Sequence, residues 1–242
     1  MLALIVSAAM SGLLHSCAPN VGSKTMAGIV QYESGWKQFA IGDNDTHRAY
    51  YPDSQPEATA VVTSLLRLGH NLDAGLGQVN SANWDSYGLS STTVFDPCSN
   101  LRVASRILSE NYATSVRNNW LGHTIASDRD AYLQQQYALI HALSAYNSGK
   151  FWASMDYAGN VYSLARSVTS EEPTAFPGAI PPPGTPLMTF DPIPRPASGT
   201  HAIRLASTSS TTSYGPRVRF RPSWASSQPI HLPHRHLAAP HI

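Results

Sequence analysis

Glu33 is the residue of this chain best placed for acid–base chemistry. It lies in the stretch Ile29-Val30-Gln31-Tyr32-Glu33-Ser34-Gly35-Trp36. Met26, Ile29 and Val30 recur at helical spacing, and Ser23 reads as the N-cap of their helix. Gly35 can take the left-handed conformation that ends helices, so the spacing predicts Glu33 in a last turn. The negative end of the helix dipole disfavours another negative charge there. With Tyr32 and Trp36 beside it, the carboxyl is expected to have a raised pKa, as suits a general acid. A lone glutamate at a helix end is more often a solvated surface group. Two later stretches change that balance.

These are Gly75-Leu76-Gly77-Gln78-Val79-Asn80 and Ser144-Ala145-Tyr146-Asn147-Ser148-Gly149. Taken with Glu33-Ser34-Gly35, they resemble the three motifs of lytic transglycosylases of the soluble type, which share a lysozyme-like fold with goose-type lysozymes. Three further stretches narrow the resemblance: Cys17-Ala18-Pro19-Asn20-Val21, Gly69-His70-Asn71-Leu72-Asp73 and Asp96-Pro97-Cys98-Ser99-Asn100-Leu101. Together they resemble the VirB1-like branch, peptidoglycan-cleaving accessory proteins of type IV secretion and conjugation systems. The resemblance spans about residues 15 to 166. It implies a mainly α, lysozyme-like α+β domain in which Glu33 is catalytic. It also implies that Ser34, Gly75, Leu76, Gly77, Gln78, Asn80, Tyr146 and Asn147 line the glycan site. Gln78 and Asn80 would offer amides to the sugar chain, and Tyr146 would be the phenol that orients Glu33.

The elements that must position these residues can be read in outline. Ala40 to Asp45 reads as a short strand running into a turn. Ser54, Pro56 and Glu57 announce a helix whose apolar positions are Val61, Val62, Leu65, Leu66 and Leu68, with Gly69 ending it. Asp73 to Asn80 alternates too weakly for a firm strand. Asp96-Pro97 opens a helix carrying Leu101, Val103, Ala104, Ile107 and Leu108. Arg117 to Arg129 reads as an irregular connection. A helix over about 131–144 then delivers Tyr146 and Asn147. His141 on it reads as a satisfied core histidine, and Phe151, Trp152 and Tyr157 as an aromatic cluster that is mostly core.

The ends of the chain differ in texture. Met1 to Met10 is apolar but too short to span a bilayer. Residues 1–14 can be a signal peptide or an N-terminal core helix, and both readings stay open. If the chain is exported to the periplasm, Cys17 and Cys98 are expected to form one disulfide, with two buried thiols as the alternative. A metal at either is not expected, because no histidine stands at ligand spacing. No cofactor is expected. Residues 1–172 carry 10 Lys/Arg and 14 Asp/Glu, while 173–242 carry 6 Arg and a single Asp. Neither part has the basic surface of a nucleic-acid binder. Of the 18 prolines, 14 lie in 173–242, so 171–242 is expected to be a disordered tail beyond a catalytic domain at 15–170. His231, His234, His236 and His241 could bind a transition metal, but such ends usually do nothing specific. The tail is the candidate contact to secretion-channel subunits.

A pair of carboxyl groups is the ordinary requirement for glycoside hydrolysis. Here only Glu33 stands in a motif. The resemblance implies instead that Glu33 alone serves as acid and then base, cleaving between N-acetylmuramic acid and N-acetylglucosamine and leaving a 1,6-anhydro end. Two alternatives are a goose-type muramidase, with Asp43, Asp45 or Asp73 activating water, and a non-catalytic peptidoglycan-binding assembly factor.

Overall fold

The computed structural model describes residues 4–118 and 127–170. The apolar N-terminal run divides at Ser7. Leu4–Val6 forms β1, and α1 (Ala8–Cys17) follows, with the Met10 N–H donating to Ser7 Oγ at 3.3 Å. Val6 and Leu14 are both buried in the core. At its far end, α1 is tied by a Cys17–Cys98 disulfide to the start of α5 (Pro97–Asn118). The expected pairing of the two cysteines is therefore found.

Helix α2 (Ser23–Glu33) carries the candidate acid at its last position. Its N-cap is Gly22 and not Ser23, and no side chain caps it. Burial takes over the role that a cap would play, since Thr25, Met26, Ala27, Ile29 and Val30 are at most 1% exposed. Gly28 lets the helix α7 (Met155–Ser167) approach closely: a Cβ there would lie 2.8 Å from the Val161 carbonyl oxygen.

The strand expected near residue 41 is β2 (Ile41–Asp43), which turns back into β3 (Arg48–Tyr50). Helix α3 (Gln55–Arg67) starts as predicted. The Glu57 N–H donates to Ser54 Oγ, and the Glu57 carboxylate accepts the Asp53 N–H at 3.1 Å, a two-way cap. Its apolar face ends sooner than expected, because Leu68 lies past the helix and is 73% exposed. The weakly alternating stretch is a β-hairpin of β4 (Leu72–Ala74) and β5 (Val79–Asn80). All five of these residues are buried, and a strand buried on both faces loses the alternation that marks a half-exposed one. The sheet order is β3-β2-β4-β5, antiparallel throughout, with Asp73 opposite both Gly42 and Asn80.

A 3-10 turn at Ser81–Asn83 leads into the short α4 (Trp84–Tyr87). Helix α5 runs to Asn118, further than expected, and residues 119–126 of the predicted connection lie outside the described residues. Helix α6 (Asp128–Ser148) is longer than the predicted helix at both ends, so Tyr146 and Asn147 sit in its last turn before Gly149 (φ 69°). Helix α5 packs on α6, α6 on α7, and α7 on α2. β6 (Val168–Ser170) closes the described domain by pairing in parallel with β1. The expected disordered tail and its histidines lie outside the described residues. Among the described residues, no helix is long and apolar enough to cross a membrane.

Candidate active site

Glu33 is 2% exposed and stands at the floor of a cleft lined by Gln78, Val79, Asn80, Asn83, Ile107 and Tyr146. One of its oxygens, Oε1, accepts the Tyr157 hydroxyl at 2.6 Å. The other, Oε2, is buried and has no hydrogen-bond partner among the described residues. Burial pushes the pKa up to about 8, and the Tyr157 hydrogen bond offsets part of that rise. The expected upward shift is present, with desolvation as its main cause. At neutral pH the carboxyl is protonated, and the oxygen free to carry the proton is Oε2.

Two contacts of the motif differ from expectation. Tyr146 does not orient Glu33. Its hydroxyl donates to the Gly77 carbonyl at 2.6 Å, locking the hairpin against the end of α6. Tyr157, expected to be core, is the phenol on Glu33, and it also packs edge-on against Tyr32 at 4.9 Å. Nothing in the motif spacing marks Tyr157. It reaches Glu33 because α2 and α7 lie side by side. Ser34 is 2% exposed, with its hydroxyl donating to the Val30 carbonyl at 3.1 Å. That bond caps the helix end, and Ser34 is not among the residues lining the cleft.

The glycine motif is a hairpin tip pressed onto α5. A Cβ on Gly77 would come within 2.6 Å of the Ala104 Cβ, and Gly75 has φ 82°. Asn100, to which the motif resemblance assigns no role, holds the tip. Its Oδ1 accepts the Gly77 N–H at 2.7 Å, and its Nδ2 donates to the Ala74 and Val94 carbonyls at 2.9 Å each. Gln78 has φ 47°, a left-handed value uncommon outside glycine. Its Nε2 is committed to the Ala40 and Gly75 carbonyls, while the side chain still lines the cleft. The Asn80 amide is also engaged, donating to Asp73 at 2.8 Å and to Asn71 Oδ1 at 2.7 Å. Leu76 is buried, and Asn147 donates to Ser154 Oγ at 2.8 Å; neither residue lines the cleft.

The three aspartates considered for water activation lie elsewhere. Asp73 is fully buried behind Asn80 and accepts amide protons from Asn80 and Asn44. Burial holds its pKa well above the usual carboxylate range, against those two hydrogen bonds, and the Glu33 charge adds to the rise. Asp43 binds His70 Nδ1 at 2.8 Å and Thr46 Oγ1 at 2.6 Å, and Asp45 accepts the Asn71 N–H at 2.7 Å. The aromatic cluster divides. Tyr157 is core, whereas Trp152 is 54% exposed and packs edge-on to His141, whose Nδ1 meets the Phe151 carbonyl at 2.8 Å.

Fold and site together define a mainly helical domain built around Glu33, a buried, proton-bearing carboxyl in a cleft beside a glycine-tipped hairpin. The chain belongs to the transglycosylase SLT domain family, which it matches over residues 14–166. It is 36% identical over 144 residues to the protein VirB1 of Agrobacterium fabrum, covering 60% of this chain and 53% of that one. To the type IV secretion system protein VirB1 of Brucella suis it is 34% identical over 171 residues, covering 70% and 67%. To its counterpart in Brucella abortus it is 37% identical over 139 residues, covering 57% and 53%. The chain thus spans between about half and two thirds of the length of these curated relatives. No solved structure matches it. The VirB1-like resemblance read from the motifs agrees with these relatives.

Proposed function

We propose that this chain is a lytic transglycosylase that cleaves the β-1,4 bond between N-acetylmuramic acid and N-acetylglucosamine in peptidoglycan. The observation that carries the reading is Glu33 itself, neutral at physiological pH, with Oε2 unpartnered at the cleft floor. In the first step Oε2–H protonates the glycosidic oxygen as the C1–O bond breaks, and the leaving sugar departs as an alcohol. The substrate's own N-acetyl carbonyl stabilises the positive charge at C1. In the second step the Glu33 carboxylate takes the proton of the muramic C6 hydroxyl while that oxygen bonds to C1. This closes the 1,6-anhydro ring and restores the acid. A group that serves in both directions works best with a pKa near the operating pH, and about 8 suits this.

The hydrolytic alternative needs a second carboxylate to activate water. Asp43, Asp45 and Asp73 are all engaged by hydrogen-bond donors, and none lines the cleft, which supports the one-carboxylate route. The retained Glu33 and its phenol support an enzyme over a non-catalytic assembly factor. The relatives' names include type IV secretion system proteins. On that ground we assign the chain to the periplasm, where it would locally open the wall for a secretion or conjugation apparatus. Residues 171–242 would contact channel subunits. Digestion of purified peptidoglycan followed by mass analysis tests the chemistry. Anhydro-muramic ends are expected, and reducing muramic ends alone would overturn the proposal.

A further inference from the structure

Three carboxamides line the Glu33 cleft: Gln78, Asn80 and Asn83. The first two have their amide nitrogens committed to the protein. Asn83 does not. It is 2% exposed, its Oδ1 is buried without a partner, and its side chain makes no hydrogen bond among the described residues. A buried polar atom left unpaired costs free energy, and native proteins keep few of them. The local role open to an asparagine at this position is to cap α4. Its backbone is helical (φ −98°, ψ −14°) where a capping residue is extended, and it makes no cap bond. The carboxamide is left to the cleft, beside Val79 and Ile107.

We propose that Asn83 is a specificity-determining residue that reads the 2-acetamido group of the sugar held at Glu33. Its Oδ1 accepts the acetamido N–H, while Val79 and Ile107 receive the methyl. The inference rests on the glycan-cleaving reading given above and adds to it the group that is recognised. The shape of a secondary amide favours this match. In the trans form the N–H and the acetyl methyl lie on the same edge, opposite the carbonyl oxygen. One buried acceptor beside two apolar side chains is complementary to that edge. A sugar hydroxyl would satisfy Oδ1 but would bring nothing to cover Val79 and Ile107.

The test uses the full chain carrying Glu33→Gln, so that binding is read without turnover. Chitohexaose is compared with cellohexaose, in which a hydroxyl replaces each acetamido group. Adding Asn83→Ala is expected to weaken chitohexaose binding about ten-fold, the effect of one buried hydrogen bond with its partner left unpaired, and to leave cellohexaose binding unchanged. Asn83→Ser keeps the turn chemistry and is read in the same way if the alanine variant unfolds; its loss should be smaller and again confined to chitohexaose. Unchanged chitohexaose affinity in a folded variant would overturn the inference. So would equal losses on both sugars, since that is what a structural role produces. Turnover is assayed separately with Glu33 intact. A chain that discriminates the two sugars through Asn83 but never cleaves peptidoglycan defeats the transglycosylase reading alone, and active enzyme indifferent to Asn83 defeats only this inference.

Discussion

Tyr157 donates its phenolic proton to Glu33 Oε1 at 2.6 Å, across 124 positions of sequence. This bond favours the carboxylate and works against the burial that favours the acid. It also leaves Oε2 as the oxygen that carries and delivers the proton. Tyr157→Phe should therefore move the Glu33 pKa above about 8 and shift the alkaline limb of the kcat/KM profile to higher pH. The rate at neutral pH should fall by roughly ten-fold as orientation and the basic form are weakened. Tyr146→Phe loses the bond to Gly77 instead, and should lower activity without moving the limb. A pH–rate profile of the two variants separates the roles, and an unmoved limb in Tyr157→Phe would contradict this assignment.

The same carboxyl should leave a trace in stability. Its folded pKa of about 8 lies above the ordinary 4.5, so the folded state holds a proton that the unfolded state releases between those values. Stability is then expected to fall as pH rises from about 4.5 to about 8 and to level off above that range. At pH 7 the penalty is on the order of 3 kcal/mol. Glu33→Gln removes it: the variant should lose at least two orders of magnitude in turnover and yet gain stability relative to the parent as pH rises. Urea denaturation of both proteins at several pH values measures the difference. Asp73, whose pKa is raised mainly by its own burial and last by the Glu33 charge, contributes to both proteins and largely cancels. A constant gap between the two curves from pH 4.5 to 8 would show that Glu33 is ionised in the folded state.

Much of this arrangement was legible in the sequence because it is local. A cap, a first-turn proline and acid at Ser54, Pro56 and Glu57 announce α3, and Gly35 announces the end of α2 beside Glu33. The Cys17–Cys98 bridge spans 81 positions and is not local, but it was legible because the chain holds only two cysteines. What could not be read is set by contacts between distant segments. Tyr157 and Tyr146 stand 11 positions apart, and only the packing of α7 on α2 decides which of them meets Glu33. Asn100 carries no signal of its three backbone bonds, since a polar residue among Leu101, Val103 and Ala104 looks like the edge of an amphipathic face. Gln78 and Asn80 lie in the motif, but their amide nitrogens hold the hairpin together. Asn83 falls in a turn with no periodicity, and its lack of partners exists only in three dimensions.

Asn100→Leu should disrupt the hairpin from behind. The substitution keeps the volume and leaves the Gly77 N–H and the Ala74 and Val94 carbonyls without their buried partner. Each group stranded in this way costs about 1–3 kcal/mol, so a loss of roughly 3 kcal/mol or more is expected, together with loss of activity. Asn100→Asp tests the split. It keeps the acceptor for Gly77 and loses both donors, and the buried charge it introduces would add its own cost. Chemical denaturation reads both variants. A leucine variant as stable as the parent would mean that the hairpin tip is held by the Gln78 and Tyr146 bonds without Asn100.

We propose that the catalytic unit ends at Ser170. Val168 is buried and pairs with Leu4, and Ser170 pairs with Val6. A chain cut after Ser170 should keep its thermal midpoint and its activity on isolated peptidoglycan. Cutting after Arg166 removes all of β6, leaves β1 without a partner and uncovers Val6. Losing one fully buried valine costs about 1.5–3 kcal/mol, which for a domain of this size is a fall in Tm of roughly 3–12 °C. The residues beyond the first cut hold 6 arginines and 14 of the 18 prolines, a composition suited to an extended, salt-sensitive contact. Their removal should therefore weaken recruitment to a partner at low salt without slowing turnover. Differential scanning calorimetry of the two truncations decides the boundary. A shorter chain as stable as the longer one would show that β1 and β6 do not support the domain, and a loss already present after Ser170 would place part of the folded unit in the tail.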